Sequence, residues 1–414
     1  MIKNMPSVLY NIKNISLYFL PLAAFFLLIS SAGTNFFLLS SVLMSIIYCV
    51  KNRDYKILLK ENIFKIFFTL YFLFVISSYY SIANTEDLIS ILKKYIKFIY
   101  IPFLYYLIKI QKNEDKILKF FISGASIILI FSYIKYFSII NFDYFYDFLK
   151  YLNIANTQDK IINTNASIFQ NYIIQGIILS FYSFLCLYLA KKKNSILFYF
   201  LSFFAFVNVL FLNDSRTAYI IIIILSLFSF LKIIINYKGR LFFIALCILL
   251  VTTLYSNNLS NRITIIQDDA ELISKNNYNS SLGHRYLWSK ISANSFIDAP
   301  FLGHGAGSFK EISKKYFEYN TSVNFSYYVT NNPHSEFLSI ITQLGSVGLC
   351  LFLGILFFLF KDSKKCIFCR GVFIVVLFSS IFNSAFYDNM LGLFLTIIVS
   401  LFYNLKSSVE HKKV

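Results

Sequence analysis

The chain has 414 residues, of which 57% are hydrophobic and 14% charged, with 49 Phe and 31 Tyr. That much apolar surface cannot be hidden in a water-soluble fold of this length, so the composition excludes a soluble globular enzyme and points to a scaffold in a lipid bilayer. The formal net charge of +18 is dispersed over short segments between apolar runs, which excludes a folded basic domain, and no nucleic-acid partner is expected.

A run of about 17–25 mainly apolar residues crosses a hydrocarbon core of roughly 30 Å as a helix. About twelve such runs follow one another, at 15–33, 35–50, 64–82, 90–110, 117–139, 171–190, 195–213, 217–236, 241–256, 335–360, 371–388 and 390–405. Nothing alternates polar and apolar residues strictly enough for a barrel, and in lipid a helix satisfies its own backbone, so an all-α polytopic membrane protein is expected. The chain divides into a membrane domain over 1–254 with helices one to nine, a large external loop over 255–334 with amphipathic helices, and a segment over 335–414 with helices ten to twelve and a short tail.

Orientation follows from Lys and Arg, which gather in cytoplasmic loops. Lys3 and Lys13 precede the first run, and every second connection thereafter is basic: Lys51, Arg53, Lys56 and Lys60, then Lys112 and Lys116, then Lys191, Lys192 and Lys193. Lys238 and Arg240, then Lys361, Lys364, Lys365 and Arg370, then Lys406, Lys412 and Lys413 continue the pattern. The intervening connections are nearly empty of positive charge, so both termini are expected inside and 255–334 outside. The first run is long and lacks a small-residue cleavage site, which reads as an uncleaved span. Six cysteines fall in expected helices (Cys49, Cys186, Cys247, Cys350) or in an inner loop (Cys366, Cys369). No disulfide framework is expected, and Cys366-x-x-Cys369 is at most half of a zinc site.

Along the chain, the external segment 140–170 carries Asp143, Asp147 and Asp159 with Tyr144 and Tyr146, and is placed to cap a site. Arg216, in NDSRTAY, is the one Lys or Arg read at a tight outer turn. It is either a snorkelling side chain or an anion clamp, since a guanidinium offers a planar donor fork to phosphate. Arg285, in SSLGHRYLWSK, begins an amphipathic helix expected over about 284–296, with a second over about 306–318. Gly303, Gly305 and Gly307 form a G-x-G-x-G run, but no strand or βαβ unit surrounds it, so a turn with close backbone approach is preferred to a nucleotide site. His334 follows Pro333 and precedes Glu336 at the head of the tenth run. It is either a polar anchor or, with a side chain that titrates near neutrality, a base for a hydroxyl. Asp388, in NSAFYDNM, either orients the histidine or a sugar, or caps a turn. The exported parts lack a clustered set of Asp, His and Cys, so no metal and no cofactor are expected.

Taken in order, S-R-T at 215–217, GHRYLWSKISANSFIDAPFLGHGAGSF, N-P-H-S-E-F-L and Q-L-G-S-V-G-L resemble the O-antigen ligase and polymerase superfamily, most closely at 213–219 and 281–349. The resemblance implies about twelve transmembrane helices in a bacterial inner membrane, with one large periplasmic helical loop between helices nine and ten. It implies an O-antigen ligase that moves a glycan from an undecaprenyl-diphosphate-linked glycan donor to a hydroxyl of lipid A-core. Arg216 and Arg285 match the arginines that hold the lipid diphosphate, His334 matches the base, and Asp388 falls near a late acidic residue of some ligases, as a substrate-binding candidate. An O-antigen polymerase or a protein O-oligosaccharyltransferase of the same superfamily differs only in acceptor. A lipid-linked sugar transporter is the rival of another class, but its charges would sit near the bilayer midplane rather than at one edge.

Overall fold

The computed structural model describes residues 7–59, 61–139, 167–233, 257–275, 277–320 and 329–411. Every regular element among them is a helix. In chain order these are α1 (Ser7–Phe26), α2 (Ser31–Asn52), the single turn α3 (Tyr55–Leu58), α4 (Asn62–Ser77), α5 (Thr85–Tyr95), α6 (Lys97–Gln111) and α7 (Glu114–Tyr136). They continue with α8 (Tyr172–Lys193), α9 (Ile196–Val207), which runs into a π-turn at Asn208–Leu212, α10 (Arg216–Ile233), α11 (Asn257–Ser274), α12 (Ser281–Asp298), α13 (Phe309–Asn320), α14 (Glu336–Ser363), α15 (Ile367–Phe382) and α16 (Asn389–His411).

Helices occupy eleven of the twelve expected runs, and the ninth, 241–256, lies outside the described residues, as does 140–166 with its three aspartates. Among the described residues α2, α7, α8, α14 and α16 are long and apolar enough to cross a membrane, while α1, α4, α9, α10 and α15 contribute shorter apolar stretches. Two expected runs are corrected. The run at 90–110 divides at Ile96 into α5 and α6, because α5 is a charged helix, capped by the Asn84 side chain and carrying Glu86 and Asp87 in its first turn and Lys93 and Lys94 in its last. The run at 371–388 ends at Phe382, and 383–388 forms a polar connection into α16.

The helices pack largely as sequential neighbours, α1 on α2 and α7, and α8 on α9 and α10. Long-range contacts then join α16 to α6 and α14 to α4 and α15. α8 and α16 are the most enclosed, and their Phe181 and Phe394 rings meet edge to face at 5.5 Å. Cys366 and Cys369 are joined by a disulfide at the head of α15. The composition led to no expected disulfide framework; this one pair forms where the first helical turn brings residues three apart onto one face.

α14 is the element that organises the site. It breaks at Gly345, whose φ of 60° and ψ of −154° suit glycine alone. The break frees backbone groups that would otherwise stay within the helix. The chain after α12 fills them: the N–H groups of His304 and Gly305 donate to the Thr342 and Gln343 carbonyls at 3.0 and 2.9 Å, and the Ser346 N–H donates to Pro300 O at 2.8 Å. A Cβ on Gly303 would lie 2.5 Å from the Gln343 carbonyl carbon, so the glycine run is a close backbone approach, as its sequence suggests. Ser77, the last residue of α4, and Ser81 in the turn after it hold the same loop from the other side through Ala306, at 3.1 and 2.6 Å. α12, which also packs on α14, is thereby fixed over the head of that helix.

Candidate active site

α12 starts at a Ser280 cap whose hydroxyl accepts from the Gly283 N–H at 3.0 Å, and His284, Arg285 and Trp288 occupy its first two turns. His284 and Trp288 share a face at i and i+4, with ring centroids 5.6 Å apart. Across from them, His334 stands two residues before α14 with a left-handed φ of 54°. Its N–H donates to Asn332 Oδ1 at 2.7 Å, an Asx turn that holds this backbone, and Pro333 restricts the residue before it. Asn332 Oδ1 also accepts from the Ser384 hydroxyl at 2.8 Å, tying the histidine turn to the 383–388 connection. The His334 imidazole stacks on Trp288 with centroids 4.7 Å apart and planes 27° apart.

The electrostatics place the two arginines in the same region. Burial, then the charges of Arg285 and His284, push the His334 imidazole down to about 4, although the residue keeps an accessible face. It is therefore neutral at neutral pH, able to accept a proton. Burial holds the Arg285 guanidinium below its ordinary value; the nearby Tyr172 phenol opposes this and Arg216 adds to it. Arg216 is the first residue of α10 and is half exposed; its Nη2 lies 3.9 Å from Asp269 on α11. Two guanidinium groups that repel each other and a neutral imidazole thus lie in one region.

His334 also lines a cleft of about 280 Å³ with Lys94, Asn332, Ser384, Tyr387 and Asp388. Asp388 Oδ1 accepts from the Leu391 N–H at 2.9 Å and so caps α16. Among the described residues no hydrogen bond joins it to His334, and its carboxylate also stands at the cleft wall.

Two lysines escaped the sequence reading, and a glutamate noted beside His334 proves to be buried. Lys94 stands in the cleft with its Nζ 3.5 Å from the centre of the Tyr387 ring. Lys97 is buried and donates to the Phe386 carbonyl at 2.9 Å and to the Asp388 carbonyl. Glu336, also buried, accepts from the Phe386 N–H at 2.9 Å, while its own N–H donates to Asn383 O at 3.1 Å. Arg216 is thus not the single cation at this end of the bundle. The signal was present in KKYIKF, since a lysine inside an apolar run needs a partner or a purpose. Among the described residues no group of three His, Cys, Asp or Glu side chains comes together as metal ligands.

Residues 200–353 match the family model described as O-antigen ligase, a span that holds Arg216, Arg285 and His334 and stops short of Asp388. No curated protein matches the chain.

Proposed function

We propose that the chain, which matches the O-antigen ligase family model over residues 200–353, is a ligase that transfers a glycan from undecaprenyl diphosphate to a hydroxyl of lipid A-core. The observation that carries this reading is the meeting of a neutral imidazole, stacked on Trp288, with a pair of mutually repelling guanidinium groups. Arg216 and Arg285 hold the diphosphate, whose negative charge relieves their repulsion. The acceptor sugar occupies the cleft of about 280 Å³ between His334 and Asp388, where amide, hydroxyl and carboxylate groups can read its hydroxyls and the Tyr387 ring offers a face for a pyranose.

In the reaction, His334 takes the proton of the acceptor hydroxyl as its oxygen attacks the anomeric carbon. The bond from that carbon to the diphosphate oxygen breaks on the opposite side, and the electron pair leaves with the undecaprenyl diphosphate, stabilised by the arginines. A single displacement inverts the anomeric configuration. Diphosphate is already a good leaving group, so the reading needs no metal and no second carboxylate. Bound diphosphate also opposes the charge of Arg285, which raises the basicity of His334 when substrate is present. The site faces the periplasm and both termini face the cytoplasm in this reading, with the inner membrane as the bilayer.

The test supplies purified protein and its His334→Ala variant with native carrier-linked donor, in the presence or absence of lipid A-core. Product on lipid A-core that requires His334 supports the ligase. Donor chains that lengthen without that acceptor would make it a polymerase, and robust transfer by the variant would remove the base.

A further inference from the structure

A cavity of about 650 Å³ lies outside the site just described, between the second half of α12 and α13. Its rim carries Lys290, Asn294, Asp298, Lys315 and Tyr316, and its floor is apolar, including the buried Ile291. No ion pair among the described residues engages Lys290 or Lys315, and both are exposed. The far wall is Ile82, in the turn after α4, whose N–H donates to His304 O at 3.4 Å. His304 Nε2 reaches back to the Ser295 carbonyl at 3.0 Å. The Ser77 and Ser81 bonds to Ala306 brace the same wall, so the groove is built in advance of any occupant.

α12 supplies both a wall of the groove and, through Trp288, the ring stacked on His334. Ile291 lies three residues beyond Trp288 on one stripe of α12, about 4.5 Å along the axis. Trp288 packs on the small core of Leu287, Ile291, Phe309 and Phe317, and Tyr316 packs on that same core from the groove side. On the α13 side of this core the trough thus has an apolar floor and a polar, lysine-bearing rim. That pairing matches a sugar chain, whose C–H faces lie on apolar surface while hydroxyl and acidic substituents point outward.

We propose that the groove between α12 and α13 binds the distal part of an acidic donor glycan, beyond the sugar that reacts. The proposal rests on the glycan-transfer reading for the identity of the ligand, and on the groove itself for its place. Binding there lets the protein favour long chains over short ones through ground-state affinity, separately from the chemistry at His334.

The probe is the acidic polysaccharide of the native cells, released from lipid by mild acid, end-labelled with a fluorophore and followed by anisotropy. Lys290→Glu/Lys315→Glu should bind it at least tenfold more weakly than the wild type, and Asn294→Trp, which fills the groove without altering charge, should do the same. In transfer assays the charge-reversed protein should raise KM at least tenfold for a full-length carrier-linked donor, with less than a twofold change for a donor cut back to its first sugar. Equal binding by wild type and both variants, or equal losses with long and short donors, would overturn the proposal. Groove-dependent binding without any transfer to an acceptor would leave the groove standing and reject the transferase instead. Matching melting temperatures of wild type and variants show that the comparison is between folded proteins.

Discussion

The imidazole of His334 lies against the indole of Trp288, with ring centroids 4.7 Å apart and an angle of 27° between their planes. The contact joins the turn before α14 to the face of α12 that follows Arg285, so His334 and Arg285 are held by one interface. An indole face also favours a cation over it, so the imidazolium formed on proton uptake is stabilised where the neutral ring already sits.

Trp288→Ala should therefore lower transfer by more than tenfold while Trp288→Phe retains most of it. A stacked aromatic contact contributes roughly 0.5–1.5 kcal/mol beyond its burial, and misplacing the base adds to that loss. Steady-state rates alongside thermal melts in detergent check this: a rate loss that follows stability alone, with Phe no better than Ala, would assign Trp288 to packing only.

The pH dependence follows from the depressed His334. The base must be deprotonated, so kcat/KM, which reports the free protein, should hold through neutrality and fall as pH drops through about 4. In the complex the bound diphosphate offsets Arg285, so the acid limb of kcat should lie at higher pH. Folding shows the matching sign: an unfolded histidine takes up its proton near pH 6.5 whereas the folded one resists, so stability contributed by the neutral form is lost as pH falls from about 6.5 towards 4. Rate and melt profiles over that range test both, and a kcat/KM limb near 6.5 would show an unperturbed imidazole.

Arg285→Ala and Arg216→Ala should each weaken use of the carrier-linked donor. A charge-assisted hydrogen bond contributes about 1.5–3 kcal/mol, which corresponds to about 10- to 150-fold in kcat/KM for each. Arg285 is the more buried and should lie at the upper end, with Lys a poor substitute because it lacks the fork. Arg216→Ala also releases Asp269 from a partner at 3.9 Å, so its loss should be smaller and less sensitive to salt in the folded protein. Direct binding of the donor, unchanged in both variants, would remove the diphosphate assignment.

How much of this was legible in the sequence depends on the range of the interaction. Apolar runs report local burial, and helices stand in eleven of them among the described residues. Arg216 and His334 were visible as charged or polar groups at the edges of such runs, and Arg285 as a charge in the polar loop between two of them. What the sequence could not carry are contacts between distant segments: Lys94 over Tyr387, Lys97 on the carbonyls of Phe386 and Asp388, and Trp288 against His334. The break of α5 from α6 was hidden because a hydropathy window averages Lys94 and Lys97 into their apolar neighbours. Asp388 was left between a cap and a site, and its carboxylate both accepts from the Leu391 N–H and stands at the cleft wall.

Gly345 offers a test of the frame rather than of the chemistry. Its φ of 60° lies where an L side chain is strained, and a Cβ there would stand 2.4 Å from the Phe301 carbonyl oxygen. That oxygen accepts from the Val347 N–H, in the seam by which 300–305 docks onto α14. Gly345→Ala should thus cost about 1–3 kcal/mol from backbone strain alone and loosen the loop that seats α12. Gly354, in the same helix, has only an ordinary contact to Ile66 at 3.5 Å, so Gly354→Ala should leave melting unchanged or raise it slightly. Melting temperatures of the two variants separate the readings: a drop confined to Gly345→Ala, with a fall in transfer, ties the break in α14 to the placement of Arg285 and Trp288. Equal behaviour of the two would mean that the helix can reseal through position 345 and that the loop is held by its other bonds.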